Sequence, residues 1–253
     1  MIYRIRSRSN PKVKDLVKNK GSYFIFEGEK LVKDILERDM EISILIINEK
    51  KENLLILPGK SIVKETWYVS ETILEKISSL KEKPDFIAVS ALAENTINFK
   101  EARIIIALDN IQDPANAGTV FRCAAAFGID AIALTGASVN MNNSKFLRAA
   151  QNAFLDIRYQ RFPDVGSLIE KTTAAKENVN IYLTSSHHSK KSITPAGISP
   201  PCLILFGNEG KGLEEKLFER YPSVRIPQSD KVESLNLGVS ACIVMYAIKQ
   251  ICP

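Results

Sequence analysis

From Ala102 onward the sequence alternates short, almost continuously apolar runs with helical stretches, and this alternation limits the fold more than any other feature. The runs are "RIIIALD", "DAIAL", "IYLTS", "CLILFG" and "SVRIP", and the spacing between them predicts helices over 116–128, 144–152, 164–176, 213–221 and 234–250. A strand covered on one face alternates apolar with polar residues, whereas a strand covered on both faces does not. The runs therefore predict an α/β fold with a parallel sheet and helices on both faces. In such sheets ligands collect beyond the carboxyl ends of the strands. Three polar or glycine-rich turns fall at such ends: Asp109–Gly118, Gly207–Gly212 and Pro227–Asn236.

The first hundred residues predict a smaller α/β unit. Helices are expected in "NPKVKDLVKNK", "EKLVKDILERD" and "ETILEKISSL", and strands in "YFIFEG", "ISILIIN", "TWYVS" and "DFIAVS". A polar stretch near Ala93–Lys100 is the expected linker, so the domains divide as 1–95 and 96–253. Hydrophobic residues make up 45% of the chain, enough for a substantial core, and no apolar run reaches membrane-spanning length. The N-terminus lacks the apolar middle of a signal peptide. Cysteines 123, 202, 242 and 252 show no CxxC or metal-ligand spacing, which suits reduced thiols in a cytoplasmic protein.

The net charge of +5 is concentrated at one end. Residues 1–20 carry seven basic side chains against Asp15 alone, while the rest of the chain nearly balances. Such a patch attracts polyanions, nucleic acid above all, by counterion release. A solubilising, partly disordered tail explains the charge equally well.

Each turn carries candidate chemistry. In "LDNIQDPANAGTVFRCAAAFGID", Asn116 and Arg122 lie six positions apart and so on different faces of a helix. Asn116 is the expected N-cap. Arg122 stands among Gly118, Ala125 and Ala126, small neighbours that let a bulky ligand reach the guanidinium; an ordinary solvated arginine fits the spacing as well. In "LILFGNEGKGL", Gly207, Gly210 and Gly212 permit positive φ and close approach to a flat ligand, in a pattern that is neither GxGxxG nor GxxxxGK[ST]. Glu209 either bonds a ligand or braces that loop. In "IPQSDKVESLNLGVSACIVMYAI", Ser234 and Asn236 open a helix whose stripe is Leu237, Ala241, Val244 and Ile248, suited to a core or to another subunit. A cap accounts for one of those two polar residues better than for both. His187 and His188, adjacent in "SSHHSKK", read as solvated, and no G-x-S-x-G elbow exists for a Ser–His–Asp triad.

Together these turns resemble the three signature motifs of the SpoU/TrmH family, S-adenosyl-L-methionine-dependent RNA ribose 2′-O-methyltransferases of the SPOUT superfamily, in family order across 108–248. The N-terminal half resembles the ribosomal-protein-type RNA-binding domain that many members carry. The resemblance implies a parallel sheet with a deep C-terminal trefoil knot, an exception to the rule against knotted chains. It also implies a homodimer in which the first motif and the last helix meet the partner. Cofactor binding maps onto Gly207, Ile226 and Leu235, and catalytic or RNA-contacting roles onto Asn116, Arg122, Glu209, Ser234 and Asn236. The implied partner is structured RNA, ribosomal rather than transfer RNA. The chain departs from the family at Gly238, where serine is frequent, and at Asn152, where a small residue is common.

The implied reaction moves a methyl group from a sulfonium to a ribose hydroxyl. The leaving group is already activated, so no metal is required, and catalysis rests on orientation and on stabilising the developing alkoxide. Arg122 serves either as general base or, since a guanidinium gives up its proton only at high cost, as an electrostatic activator. A catalytically inactive RNA-binding protein on the same scaffold, a transfer-RNA enzyme and an enzyme acting on a base nitrogen stand as alternatives.

Overall fold

The computed structural model describes residues 1–52, 60–91, 95–186 and 197–251. The stretch holding His187 and His188, and Cys252, lie outside them. Packing divides the chain into two compact units, Met1–Ala93 with Met141–Leu147, and Glu94–Asn140 with Arg148–Pro253.

The first unit runs β1 (Ile2–Ile5), α1 (Pro11–Lys18), β2 (Tyr23–Glu27), α2 (Glu29–Glu37), β3 (Glu41–Asn48), β4 (Ile62–Val69), α3 (Glu71–Ile77) and β5 (Phe86–Ala91). Its sheet has the order β1-β4-β3-β5-β2; β1, β4 and β3 run parallel, and β5 runs antiparallel to both neighbours. Asn10 caps α1 by accepting from the Lys12 N–H at 2.9 Å, with Pro11 at the first helical position, where its missing N–H costs nothing. Trp67, 2% exposed, packs with Val13, Leu16, Ile46 and Leu74 in one core between the sheet and its helices.

The basic segment is not a tail. Residues 2–5 form edge strand β1, which the sequence did not predict because Arg4 interrupts a short run, and 11–18 form α1. Three of its cations are held by carboxylates: Arg4 by Glu52 at 2.7 Å, Arg8 by Glu75 at 2.7 Å and Lys12 by Glu65 at 2.8 Å. Arg6, Lys14 and Lys18 form no ion pair among the described residues.

From residue 104 the elements are β6 (Ile104–Asp109), α4 (Pro114–Phe127), β7 (Ala131–Thr135), α5 (Ser144–Ala150), β8 (Arg158–Phe162), α6 (Val165–Ala175), β9 (Asn180–Thr184), β10 (Cys202–Phe206), α7 (Glu215–Phe218), β11 (Ser223–Val224) and α8 (Leu237–Ile251). The second sheet has the order β11-β9-β10-β6-β7-β8 and every pair in it is parallel. All six residues of β6 and all five of β7 and β10 are buried, as strands with helices on both faces require. Strand β8 went unpredicted because "RYQRF" buries only Phe162; it is the sheet edge, where charge blunts further pairing.

Several boundaries move. The helix expected over 213–221 is one turn, Glu215–Phe218, and "SVRIP" pairs only through Ser223 and Val224. The expected linker is not loose where it is described: Ile97 and Phe99 are 7% and 6% exposed and join the core of the second unit. Its start, at 93 and 94, lies outside the described residues. No helix among the described residues is long and apolar enough to cross a membrane.

The strand order creates a switch point. From β6 the chain builds outward through β7 to β8, then crosses back to lay down β9 and β10 on the other side of β6. The loops leaving β6 and β10 therefore start from neighbouring strand ends, the place where open parallel sheets take their ligands.

Candidate functional site

The turn after β6 ends in helix α4, whose cap is Asp113 rather than Asn116. Asp113 accepts from the Ala115 N–H at 2.9 Å and Pro114 takes the first helical position. The aspartate three residues ahead of the predicted start satisfies that orphan donor, so the helix begins earlier and Asn116 falls inside its first turn. The Asn116 side chain is then available to bridge. Its Nδ2 donates to Glu209 at 3.2 Å, and its Oδ1 accepts from Asn236 Nδ2 at 2.9 Å.

Glu209 comes from the turn after β10. Beyond Asn116, its carboxylate accepts from the backbone N–H groups of Gln112 at 3.3 Å and Asp113 at 3.4 Å. Asn236 caps α8, accepting from the Val239 N–H at 3.3 Å, while its amino group reaches Asn116. One side chain thus serves as both cap and bridge, and the three turns, far apart in sequence, are joined in one chain, Glu209–Asn116–Asn236.

The glycines of the second turn serve its own closure. A Cβ on Gly207 would lie 2.3 Å from the Gly212 carbonyl carbon and 2.5 Å from the Leu213 nitrogen, so the close approach is the turn folding back on itself. Asn208 and Gly212 close that turn with reciprocal backbone bonds of 3.2 and 2.9 Å. Of the three turn glycines, Gly212 has the positive φ, 68°. Gly238 has a packing reason: a Cβ there would sit 3.1 Å from Thr119 Cγ2, where α8 crosses α4.

A cavity of about 820 Å³ lies beyond the carboxyl ends of β9, β10, β6 and β11. Asn116, Gly207, Glu209, Ile226, Ser234, Leu235 and Asn236 line it, seven of the eight residues singled out in the sequence. Its other ionisable side chains are Asp113, Glu215 and Glu233 against Lys211 and Arg225, so acidic groups outnumber basic ones. Arg122 is not part of its wall; it lies exposed on α4. Sequence reasoning missed Gln112, Asn208 and the Thr184–Ser186 stretch, because their place at the site depends on which strands are neighbours.

At the α4–α8 contact the thiols of Cys123 and Cys242 meet. Burial, and then the Cys242 thiol beside it, push Cys123 up to about 12, so it remains a protonated, apolar-like group in the helix packing. On its outer side α8 carries Val239, Ile243 and Tyr246, 49%, 37% and 54% exposed, a second apolar stripe besides the buried one. Tyr246 stands edge-on to Phe127 of α4, with ring centroids 5.9 Å apart.

The SpoU rRNA Methylase family matches residues 103–246, the span that builds this sheet and cavity. The chain belongs to that family. It is similar over 97% of its length, at 28% identity, to the 23S rRNA (guanosine(2553)-2′-O)-methyltransferase RlmP of Bacillus subtilis, and covers 98% of that protein. It resembles the AdoMet-bound rRNA methyltransferase from Sinorhizobium meliloti at TM-score 0.80 and 25% identity, over 98% of each chain. The SpoU methyltransferase AviRb from Streptomyces viridochromogenes, in complex with AdoMet, shares the fold at TM-score 0.80 and 18% identity, over 95% of this chain and 97% of that one.

Proposed function

We propose that this chain transfers a methyl group from S-adenosyl-L-methionine to a ribose 2′-hydroxyl of ribosomal RNA. The observation that carries the reading is the Glu209–Asn116–Asn236 chain at the switch-point cavity, on a scaffold whose relatives are named as rRNA 2′-O-methyltransferases. The cavity suits the cofactor. Its volume falls within the roughly 300–1,000 Å³ of small-molecule sites, and its acidic excess favours a sulfonium over a neutral or anionic ligand. The cofactor supplies a methyl group already activated for attack.

Gly207, Ile226 and Leu235 hold the cofactor through backbone groups, and the glycine turn shapes their side of the cavity. Asn116, Ser234 and Asn236 orient the ribose. Glu209 fixes Asn116 and the first-turn backbone of α4. Arg122 activates the hydroxyl electrostatically, and it does so from a partner subunit. It sits outside its own cavity on an exposed face, while Val239, Ile243 and Tyr246 provide an apolar stripe for a two-fold α4–α8 interface. The segment after β10 threads as the family's trefoil knot. Residues 1–95 form the RNA-binding domain and 96–253 the methyltransferase domain, and Arg6, Lys14 and Lys18 meet the phosphate backbone.

Tritium from labelled S-adenosyl-L-methionine should enter in vitro transcribed large-subunit ribosomal RNA and be recovered in alkali-resistant dinucleotides. Label recovered in a methylated base, or no transfer at all, would overturn the reading.

A further inference from the structure

Asn208 has no part in the roles assigned above, yet it divides its amide between two loops of the site. Its Oδ1 accepts from the backbone N–H groups of Gly210 and Lys211, both at 3.0 Å, which helps to close the glycine turn. Its Nδ2 faces the other way and donates to the Asn110 carbonyl at 2.7 Å. A flipped amide would set its amino group against two N–H donors and its oxygen against a carbonyl, so the partners fix the orientation.

Asn110 is the first residue after β6 and begins the loop that carries Gln112, Asp113 and Asn116 to Glu209. It adopts a left-handed φ of 52°, which asparagine tolerates better than most residues. That turn aims its carbonyl at Asn208 and is braced on its other sides. Asn110 Oδ1 accepts from the Ala137 N–H at 3.0 Å, and its Nδ2 donates at 2.9 Å to Asp109, which also accepts from the Thr135 hydroxyl at 2.6 Å. Gly136 leaves the space for this amide: a Cβ there would stand 2.3 Å from Asn110 Oδ1.

Distances decide which contact sets the register of the two loops. The bonds from the first-motif loop to Glu209 are 3.2–3.4 Å, at the outer limit of useful geometry, while Asn208–Asn110 is 2.7 Å. We propose that Asn208 is a positioning residue for methyl transfer, its oxygen holding the cofactor turn and its nitrogen holding the first-motif loop in register with it. The inference rests on the methyl-transfer reading above.

Asn208→Asp separates the two halves. It keeps an acceptor for Gly210 and Lys211, loses the donor, and sets a carboxylate oxygen against the Asn110 carbonyl. The expected result is a dissociation constant for S-adenosyl-L-methionine within about threefold of wild type by calorimetry, with kcat on ribosomal RNA lowered at least about tenfold. Asn208→Ala loses both halves, so cofactor affinity and kcat should fall together. Asn110→Gly keeps the carbonyl and accepts the left-handed φ but loses the bracing; it should lower kcat about fivefold and leave cofactor affinity unchanged, which keeps a test in hand should Asn208→Asp not fold. The inference is overturned if Asn208→Asp lowers kcat by less than about tenfold, or if its cofactor affinity falls in step with kcat as a general collapse of the turn would require. Failure of the wild-type protein to methylate ribosomal RNA would instead overturn the functional reading, and the calorimetry would still test the oxygen's half.

Discussion

The two sheets are built from similar apolar strands but treat their charged groups differently. In the first unit the carboxylates Glu52, Glu65 and Glu75 are matched by cations, so paired charge holds loops and helices in place. In the second, Glu209 is surrounded by two backbone N–H groups and an amide, neutral donors that fix it without cancelling its charge. The topology matches this contrast. Strand β5 runs against its neighbours in the first sheet, whereas all six strands of the second point the same way and gather four carboxyl ends around one cavity. A carboxylate paired with a cation is a fastener, and one held by neutral dipoles still presents its charge to a ligand.

The contrast breaks most easily through stability. Trp67→Ala should destabilise the first unit by about 3–5 kcal/mol, because the indole is 2% exposed and its cavity cannot collapse onto a sheet. Hydrogen exchange should show faster exchange in β1, β3 and β4 while cofactor binding in the second unit persists; loss of cofactor binding would mean the units are not separable. Arg122→Ala should lower kcat by about 10²–10³ with cofactor affinity intact. Mixing it with Glu209→Ala should restore activity if the guanidinium acts across subunits, whereas a mixture no better than its components would place it in its own cavity.

Smaller effects sharpen the comparison. Gly207→Ala forces its methyl group against the Gly212 backbone and should cost about 1–3 kcal/mol of cofactor binding in calorimetry, with the first unit unaffected. Lys14→Glu with Lys18→Glu should flatten the salt dependence of RNA binding by roughly 1.5–2 in the log–log slope, while Lys12→Gln, already paired, should change it little. An unchanged slope in the double variant would remove α1 from the RNA path.

The smallest effect is one of pH. Burial pushes the Glu65 carboxyl up, but the hydrogen bonds from Lys12 and Trp67 outweigh it and leave it below its ordinary value. A depressed carboxyl contributes stability above the unfolded-state pKa and loses it as pH falls through the folded value. Urea unfolding should show wild type and Glu65→Gln differing by less than about 1 kcal/mol at pH 7 and converging below the glutamate range.

The sequence by itself determined the elements whose signals are local. Buried strands such as β6 and β10 are legible because both faces are covered, and the helices α1, α2 and α6 fall where periodicity places them. The residues of the three turns were legible through their family pattern. Edge strands β1 and β8 were not, since a strand that borrows its hydrogen bonds from one neighbour needs little apolar signal of its own. Only the tertiary structure decided that Asp113 displaces Asn116 as cap, that Asn236 is at once cap and bridge, that Gly207 is demanded by its own loop, and that Arg122 stands outside the cavity its neighbours line. The physical reason is that local propensity is written in residues a few positions apart. Contacts such as Glu209 with Asn116, 93 positions away, exist only once β10 has paired beside β6.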